Sequence, residues 1–183
     1  MIHKKITGWA MGAVLSAVIA APGAMAASEV RIGVVNDYAS WNPYADSTAQ
    51  MYMTWCQTYG CLGTFDTRDG KYKPLLAERW EVSKSNPNEW TFYLRKDAKF
   101  HNGRPVVASD VKFSIDRILD PKTASKGRKA LGPIKEIVVK DDHTVVFNLK
   151  GPYADLALQL GNTFSRIIAK ENVADIANKP IGS

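Results

Sequence analysis

The chain has 183 residues, of which 45% are hydrophobic and 23% charged, and its formal net charge is +6. This composition is typical of a globular protein and excludes a chain that is disordered or membrane-embedded throughout. Two cysteines and three histidines offer few soft or imidazole ligands for a metal ion.

Residues 1–26 have the three parts of a secretory signal peptide. "MIHKK" is a short basic head, "AMGAVLSAVIAAPGA" an apolar core, and "AMA" ending at Ala26 a small-residue cleavage pattern. The core is shorter than the about 20 residues of a transmembrane helix, and Pro22 interrupts it. Lys4 and Lys5 are not a twin-arginine pair, and no cysteine follows the cleavage pattern. We therefore expect a periplasmic protein, exported by a cleavable signal peptide.

The first part of the mature chain predicts a strand, a turn, a helix and a hairpin. "EVRIGVVND" is typical of a strand that leads into the turn-rich "YASWNPYADS". A helix is expected from Ser47 or Thr48, with Gly60 as its end. "CLGTFD" and "TRDGKYKP" predict two short strands joined by an Asp-Gly turn, and the end of "LLAERWEVS" predicts a third strand.

The two cysteines, Cys56 and Cys61, both belong to the part expected to be exported. An oxidising compartment favours a disulfide between them that closes a small loop. If both residues lay on one continuous helix, their side chains would point in different directions and could not join. A metal site is disfavoured, because His101 and His143 lie far from the cysteines in sequence.

Residues 90–121 predict a strand, a turn and a helix. Alternation in "WTFYLR" predicts a half-buried strand, and "HNG" with Pro105 predicts the turn after it. Ser109 is expected to cap the helix, and the Asp120-Pro121 pair to end it. The apolar face of the strand carries Trp90, Phe92 and Leu94. The apolar residues of the helix follow i, i+4, i+7 and i+8: Val111, Ile115, Ile118 and Leu119.

A basic loop follows at residues 122–135. Its five cations are Lys122, Lys126, Arg128, Lys129 and Lys135. A nucleic-acid patch needs aromatic residues between the cations, and this loop has none. We therefore expect a solvated loop and no nucleic-acid partner.

The rest of the chain predicts a second hairpin and two short helices. "IKEIVVK" and "TVVFNLK" flank the turn "DDH", with Val145, Phe147 and Leu149 on one face. "YADLALQL" and "ENVADIA" are typical of short helices. The fold class is therefore α/β or α+β, with several hairpins.

Catalytic motifs are not found in this sequence. There is no G-x-S-x-G elbow, no paired zinc histidines and no phosphate loop. The adjacent acids Asp141 and Asp142 lie in a predicted turn, where such residues usually accept local amide hydrogen bonds. We expect a chain that is not an enzyme and that needs no metal or cofactor. An exported hydrolase or a disulfide-linked structural domain remains the competing class.

Three segments together resemble a known family: "PLLAERWEV", "EWTFYLRKDAKFHNGRPVVASDVKFSIDRILDP" and "VVKDDHTVVFNL". In this order and spacing they are similar to the peptide/nickel/opine class of periplasmic solute-binding proteins, the extracytoplasmic receptors of ABC importers. "WNP" and the final "KPIGS" also resemble family segments. One departure is Val107, which stands where the family often has a helix-capping Thr, so either Ser109 or a shifted start of the helix must provide the cap.

The resemblance implies an α/β fold with a mixed α+β side domain, forming the amino-terminal portion of a two-lobed periplasmic-binding-protein fold. Residues 27–43 would be the first strand and turn of the hinge-bearing lobe, and residues 44–170 its side domain. Residues 171–183 would begin a truncated return to the main lobe. Since family members are much longer, we expect an amino-terminal fragment without the second lobe.

The resemblance also implies a function. Members bind peptides or other small solutes such as nickel, opines or sugars, and deliver them to a membrane permease; the full-length protein would be a monomer. A truncated receptor without function is the alternative.

By the same resemblance, two segments would contact the ligand: Ser47, Thr48, Ala49 and Gln50, and then Lys126, Gly127 and Arg128. These residues could equally be ordinary surface positions. Oligopeptide binders often have an aromatic residue in the second segment, so the ligand class stays open. Four tryptophans are expected to pack in the core or between lobes rather than hold ligand: Trp41, Trp55, Trp80 and Trp90.

Overall fold

The structure is a computed structural model that describes residues 33, 40–45, 54, 55 and 57–183. The strand expected near residues 30–35 therefore lies outside the described residues, as does most of the first expected helix. The described part of that helix, residues 54, 55, 57 and 58, is helical, and the helix ends before Gly60 as predicted.

A small antiparallel hairpin follows, made of β1 (Gly63–Asp66) and β2 (Lys71–Pro74). Gly70 has a φ of 68° and donates its N–H to the Asp66 carbonyl over 2.9 Å. A positive φ is natural for glycine and strained for other residues, which is why the Asp-Gly pair predicted this turn correctly.

Four further strands form the main sheet: β3 (Ala77–Val82), β4 (Glu89–Leu94), β5 (Ile134–Asp141) and β6 (Thr144–Leu149). The sheet is antiparallel with the order β3-β4-β6-β5, so β3 and β5 are its outer strands. The register of β3 shifts between Ala77 and Arg79. The register of β5 shifts twice, so each outer strand contains a bulge or irregularity.

One face of the sheet carries the core. Phe92 of β4 and Phe147 of β6 are fully buried and meet edge to face, with ring centroids 5.4 Å apart. Helix α1 (Ala108–Leu119) packs against β5 and β6. Its buried apolar residues are Val111, Ile115 and Ile118, as the helical spacing predicted. Burial of each such side chain stabilises the fold by about 1.5–3 kcal/mol.

The start of α1 differs from the expectation. The N-cap residue is Val107, not Ser109, and the helix begins at Ala108. The Ala108 N–H donates to the backbone carbonyl of Asp142 over 2.8 Å, and the Asp110 carboxylate accepts the Val107 N–H over 3.1 Å. The turn between β5 and β6 thus supplies an acceptor for the first N–H of the helix, which has no partner within the helix.

The Asp-Pro end of α1 is confirmed, because Asp120 is extended with a ψ of 122°. Two 3-10 turns follow, Pro121–Thr123 and Lys126–Lys129. All five cations of the basic loop are exposed, as expected. The Asp141 carboxylate accepts the His143 N–H over 2.8 Å, which confirms its role in the hairpin turn.

Of the two short helices expected near the end, one forms. Helix α2 spans Leu156–Leu160, whereas "ENVADIA" gives only the 3-10 turn Lys170–Asn172 and further turns. The Asn172 amide donates to the Lys179 carbonyl and accepts the Ile181 N–H, both over 2.9 Å. These side-chain hydrogen bonds favour a loop over a helix.

An ion-pair network connects α1 to this last turn. The Arg104 guanidinium donates to both carboxylate oxygens of the buried Asp110 over 2.9 Å, and its Nε donates to Glu171 over 2.7 Å. Asn102 also donates to Glu171, over 3.2 Å. Residues before α1, within it and beyond α2 are held together at this point.

Candidate ligand-binding surface

The turn that precedes the first predicted ligand segment is fixed by Asn42. Its side-chain oxygen accepts the Tyr44 N–H over 3.1 Å, and its carbonyl accepts the Ala45 N–H over 3.2 Å. An Asn side chain that hydrogen-bonds the backbone two residues on is typical of an Asx turn. The "WNP" motif is therefore part of an ordered turn that precedes the first predicted ligand segment in sequence.

Tyr44 anchors this turn in the interior. The side chain is buried, and its hydroxyl donates to the Arg166 carbonyl over 2.9 Å, which joins residues 122 positions apart. Burial raises the pKa of Tyr44 well above its usual range, so the phenol stays protonated and donates this hydrogen bond.

Arg166 orders the segment that Tyr44 contacts. This side chain is only 5% exposed. Its Nε donates to the Thr163 carbonyl over 3.1 Å, and its Nη1 donates to the Tyr59 carbonyl over 3.2 Å and to the Cys61 Sγ over 3.0 Å. Residues 163–166 are therefore fixed to the interior by a charged group that the sequence analysis did not single out.

The second predicted ligand segment packs against Phe164 of the same stretch. Gly127 is buried, and a Cβ placed there would lie 2.4 Å from the Cβ of Phe164. The Ser125 hydroxyl accepts the Gly127 N–H over 3.3 Å and caps the turn. With Gly127 held inward, Lys126 and Arg128 are exposed.

One stretch of chain, residues 163–166, thus contacts both the turn that precedes the first predicted segment in sequence and the second predicted segment. Arg166 meets Tyr44, and Phe164 meets Gly127. We define the candidate surface as residues 42–45, 126–129 and 163–166. Of the predicted ligand residues, Ser47, Thr48, Ala49 and Gln50 lie outside the described residues. Lys126, Gly127 and Arg128 are described.

Arg117 is a partly buried cation near the end of α1. It lies in the last turn of α1, is half-buried, and its Nε is buried without a hydrogen-bond partner among the described residues. The helical pattern marks this position as polar, but it does not tell whether an acidic partner is present.

The predicted disulfide involves Cys56, which lies outside the described residues. Cys61 is fully buried, and its Sγ lies 3.4 Å from the Asn162 carbonyl. The bridge remains a prediction.

The tryptophans largely pack in the interior, as expected. Trp55 is fully buried and Trp90 is 8% exposed. Trp80 is half-buried and stacks on Phe92 with ring centroids 6.2 Å apart. These contacts support a packing role rather than a ligand platform.

A surface groove of about 520 Å³ lies on the β1–β2 hairpin, lined in part by Phe65, Asp66 and Lys73. It lies apart in sequence from the candidate surface. Within the described part of the chain, no group of three or more metal-binding side chains occurs, and no helix is long and apolar enough to cross a membrane.

The comparisons with known proteins agree on one family. The model of "Bacterial extracellular solute-binding proteins, family 5 Middle" matches residues 71–183. The probable D,D-dipeptide-binding periplasmic protein DdpA of Escherichia coli K12 is 39% identical over 106 residues, which cover 56% of this chain and 20% of that protein.

Two solved structures have the same fold over most of the chain. The periplasmic binding protein AgaA of A. tumefaciens R10, in complex with agropinic acid, gives a TM-score of 0.72 at 33% identity and covers 80% of this chain and 30% of its own. DppA of Helicobacter pylori, in complex with the peptide STSA, gives a TM-score of 0.70 at 28% identity, with 80% and 33% covered.

The chain spans between a fifth and a third of the length of these relatives. Its mixed helix and strand architecture matches part of the periplasmic-binding-protein fold, as the resemblance implied. The relatives are binding proteins rather than enzymes, in agreement with the sequence analysis. Because the family model matches more than half of the chain, the chain belongs to the family 5 bacterial extracellular solute-binding proteins.

Proposed function

We propose that this chain belongs to the periplasmic receptor of an ABC importer, which binds di- or oligopeptides and delivers them to a membrane permease. The observation that carries this proposal is the agreement between sequence and structural relatives. The E. coli relative is described as a D,D-dipeptide-binding protein, and the H. pylori relative holds a peptide. Peptide binding is the ligand class that these two relatives have in common.

The domain organisation follows the same proposal. Residues 1–26 direct export, residues 27–43 belong to the hinge-bearing lobe, residues 44–170 form its side domain and residues 171–183 lead back to the main lobe. A ligand that contacts two lobes at once stabilises the closed receptor, because it binds that conformation more tightly than the open one. The complete receptor acts as a monomer.

The ligand contacts come from residues 47–50 and 126–128. Two features support this placement. First, the Asx turn at Asn42 is ordered, and Tyr44 anchors it to the segment 163–166. Second, the exposed Lys126 and Arg128 flank Gly127, which is buried and packs on the same segment 163–166. A binding surface needs such rigid support, because loosely held side chains lose more conformational entropy on binding.

A second candidate is an acidic small solute of the opine type. The A. tumefaciens relative holds agropinic acid and is 33% identical to this chain. The cations of residues 126–129 suit the carboxylate of such a solute, and they suit the terminal carboxylate of a peptide equally well.

Native mass spectrometry of the chain can separate these candidates. The chain is incubated with an equimolar pool of di- to pentapeptides, agropinic acid and Ni²⁺, and the adduct masses identify what binds. We expect peptide adducts that an Arg128→Ala variant weakens and a Lys135→Ala variant, which removes an equally exposed cation outside the surface, leaves unchanged. Adducts of agropinic acid or Ni²⁺ alone would contradict peptide binding.

A further inference from the structure

The turn before α1 contains the only Asn-Gly pair in the sequence, Asn102 and Gly103, and both residues are exposed. In such a pair the backbone nitrogen of the glycine can attack the side-chain amide carbon of the asparagine and close a succinimide ring. Glycine allows this approach best, because it has no Cβ. The space at Gly103 is also open, since a Cβ built there meets no atom within 4 Å. The turn is therefore sterically suited to this reaction.

Hydrogen bonds polarise the side-chain amide of Asn102. Its Oδ1 accepts the Arg104 N–H over 3.1 Å, and its Nδ2 donates to Glu171 over 3.2 Å. A donor at the carbonyl oxygen stabilises the negative charge that develops there when a nucleophile attacks the amide carbon. One contact opposes the reaction, because the Gly103 N–H donates to the Phe100 carbonyl over 2.8 Å. This hydrogen bond must open first, and opening an exposed turn costs little free energy.

The same turn holds residues 171–183 at two points. The first is the hydrogen bond from Asn102 to Glu171. At the second, the His101 N–H donates to the Gly182 carbonyl over 2.8 Å, and the Gly182 N–H donates to the His101 Nδ1 over 3.3 Å. Gly182 is buried in this contact. A chemical change at Asn102 therefore acts on the residues that attach the last part of the chain.

We propose that Asn102 is a site of spontaneous deamidation, and that its conversion loosens the attachment of residues 171–183. The deprotonated Gly103 nitrogen forms a bond to the Asn102 Cγ, the bond from Cγ to the side-chain nitrogen breaks, and ammonia leaves. Water then opens the succinimide. Cleavage between Cγ and the Gly103 nitrogen gives aspartate, whereas cleavage between the backbone carbonyl carbon and that nitrogen gives isoaspartate. Either route consumes a water molecule and releases an ammonia molecule.

The conversion changes the charge of the ion-pair network at the start of α1. In the parent chain, Arg104 pairs with two carboxylates, Asp110 and Glu171. A third carboxylate at position 102 replaces the amide that donated to Glu171, and two carboxylates at such short distance repel each other. Isoaspartate also lengthens the main chain within the turn, which shifts His101 relative to Gly182. Both products therefore weaken the contacts of residues 171–183.

Ageing of the purified chain at pH 8 tests the reaction. Mass spectrometry of its peptides reports the amide-to-acid conversion at each asparagine, and a protein isoaspartate methyltransferase labels the isoaspartate product. The chain contains its own controls: Asn42 and Asn86 precede proline, which has no N–H and cannot close the ring. Asn178 is exposed but precedes a lysine. We expect Asn102 to convert at least about tenfold faster than Asn178, because a missing Cβ lowers the steric barrier to ring closure.

Hydrogen exchange of the backbone amides measures the attachment of the last residues. Ion exchange first separates the converted chain from the parent, because conversion adds a negative charge. We expect the amides of Ile181 and Gly182, which donate to Asn172 and His101, to exchange about threefold or more faster in the converted chain. The amides of β4 should keep their rates.

Two controls separate conversion from ageing in general. Asn102→Gln, whose longer side chain closes a ring far more slowly, is aged in parallel and should keep its exchange rates. Parent chain aged at pH 5, where the attacking nitrogen stays protonated, needs no substitution and serves if that variant unfolds. Exchange is measured at one common pH for all samples.

Each result decides part of the proposal. Preferred conversion at Asn102 together with faster exchange at Gly182 supports it. Conversion at Asn102 that is no faster than at Asn178 overturns the modification site. Conversion that leaves the exchange of Gly182 unchanged overturns the loosening. None of these results bears on solute binding, which the adduct experiment tests separately.

Discussion

Gly127 is a predicted ligand residue that the structure places in a packing position. Sequence similarity marked residues 126–128 together, but the structure divides them into two exposed cations and a glycine pressed against Phe164. A sequence does not distinguish these roles, because the contact joins residues 37 positions apart through tertiary packing. The cations are therefore the better targets for binding experiments, and the glycine for stability.

Substitution of Gly127 by alanine tests this division. The added Cβ would lie 2.4 Å from the Phe164 Cβ, so the turn or the ring must move. We expect a loss of about 1–3 kcal/mol in the free energy of unfolding, as overpacking typically costs. Gly151→Ala is the matched control, since a Cβ placed at that glycine meets no atom within 4 Å. Equal urea midpoints for the two variants would contradict the packing role.

Glu171 gives a prediction about acid stability. Hydrogen bonds from Arg104 lower the pKa of this carboxyl from its ordinary value of 4.5 to about 2. Between these pH values the unfolded chain binds more protons than the folded one, so the free energy of unfolding rises with pH. The contribution of Glu171 is complete above about pH 4.5 and is lost as the pH falls toward 2.

The measurement compares the parent with Glu171→Gln by urea unfolding at pH 6 and pH 3. We expect the parent to be more stable at pH 6 and most of that advantage to disappear at pH 3. The side chain is 41% exposed, so solvent screening limits the effect to under about 1 kcal/mol. Glu136→Gln, an exposed carboxyl on β5, is the control. A difference that is the same at both pH values would refute the linkage.

Helix α1 shows which features of an element its own sequence determines. Spacing of apolar residues predicted the buried face and the Asp-Pro pair predicted the end, because both are local. The start was wrong, because the acceptor for the first N–H comes from the backbone of Asp142, more than 30 positions away. A capping rule based on the helix's own side chains cannot identify an acceptor that lies in the distant β5–β6 turn.

Two acids of α1 provide a matched pair for mutation. Asp110 is fully buried, pairs with Arg104 and accepts the Val107 N–H, whereas Asp116 is 49% exposed and pairs with Lys112. We expect Asp110→Ala to cost about 2–4 kcal/mol, because a partly buried cation and a helix-start donor lose their acceptor. Asp116→Ala should cost about 0.5 kcal/mol, as surface pairs do. Chemical denaturation measures both, and similar losses would argue against the network at the start of α1.

At the scale of the whole molecule, local hairpins could be predicted from the sequence and their assembly could not. Turn residues and alternation identify β1–β2 and β5–β6, yet the sheet order depends on β4 pairing with β6 across more than 50 residues. The resemblance to a family implied a mixed α+β side domain, but it gave no order of strands. The contacts within the candidate surface could not be predicted from the sequence either, because they join residues far apart in the chain. Tyr44 meets Arg166, and Gly127 meets Phe164.

Export is a prediction about the entire chain. If residues 1–26 are a signal peptide, expression in E. coli yields periplasmic protein whose amino-terminal residue is Ala27. Ala26→Arg places a large charged residue at the cleavage position and should leave the precursor unprocessed. Val18→Ile preserves the apolar core and should be processed normally. Amino-terminal sequencing and intact mass distinguish the two forms, and an uncleaved parent would refute the signal peptide.

The irregular outer strands have a consequence for behaviour at high concentration. A regular outer strand offers an uninterrupted row of backbone donors and acceptors, to which a strand of another molecule can add. In this sheet the register shifts in β3 and β5 break that row, and Lys135, Glu136 and Lys140 add charges along β5. Copies of the chain at high concentration are thus discouraged from joining their sheets into fibrils.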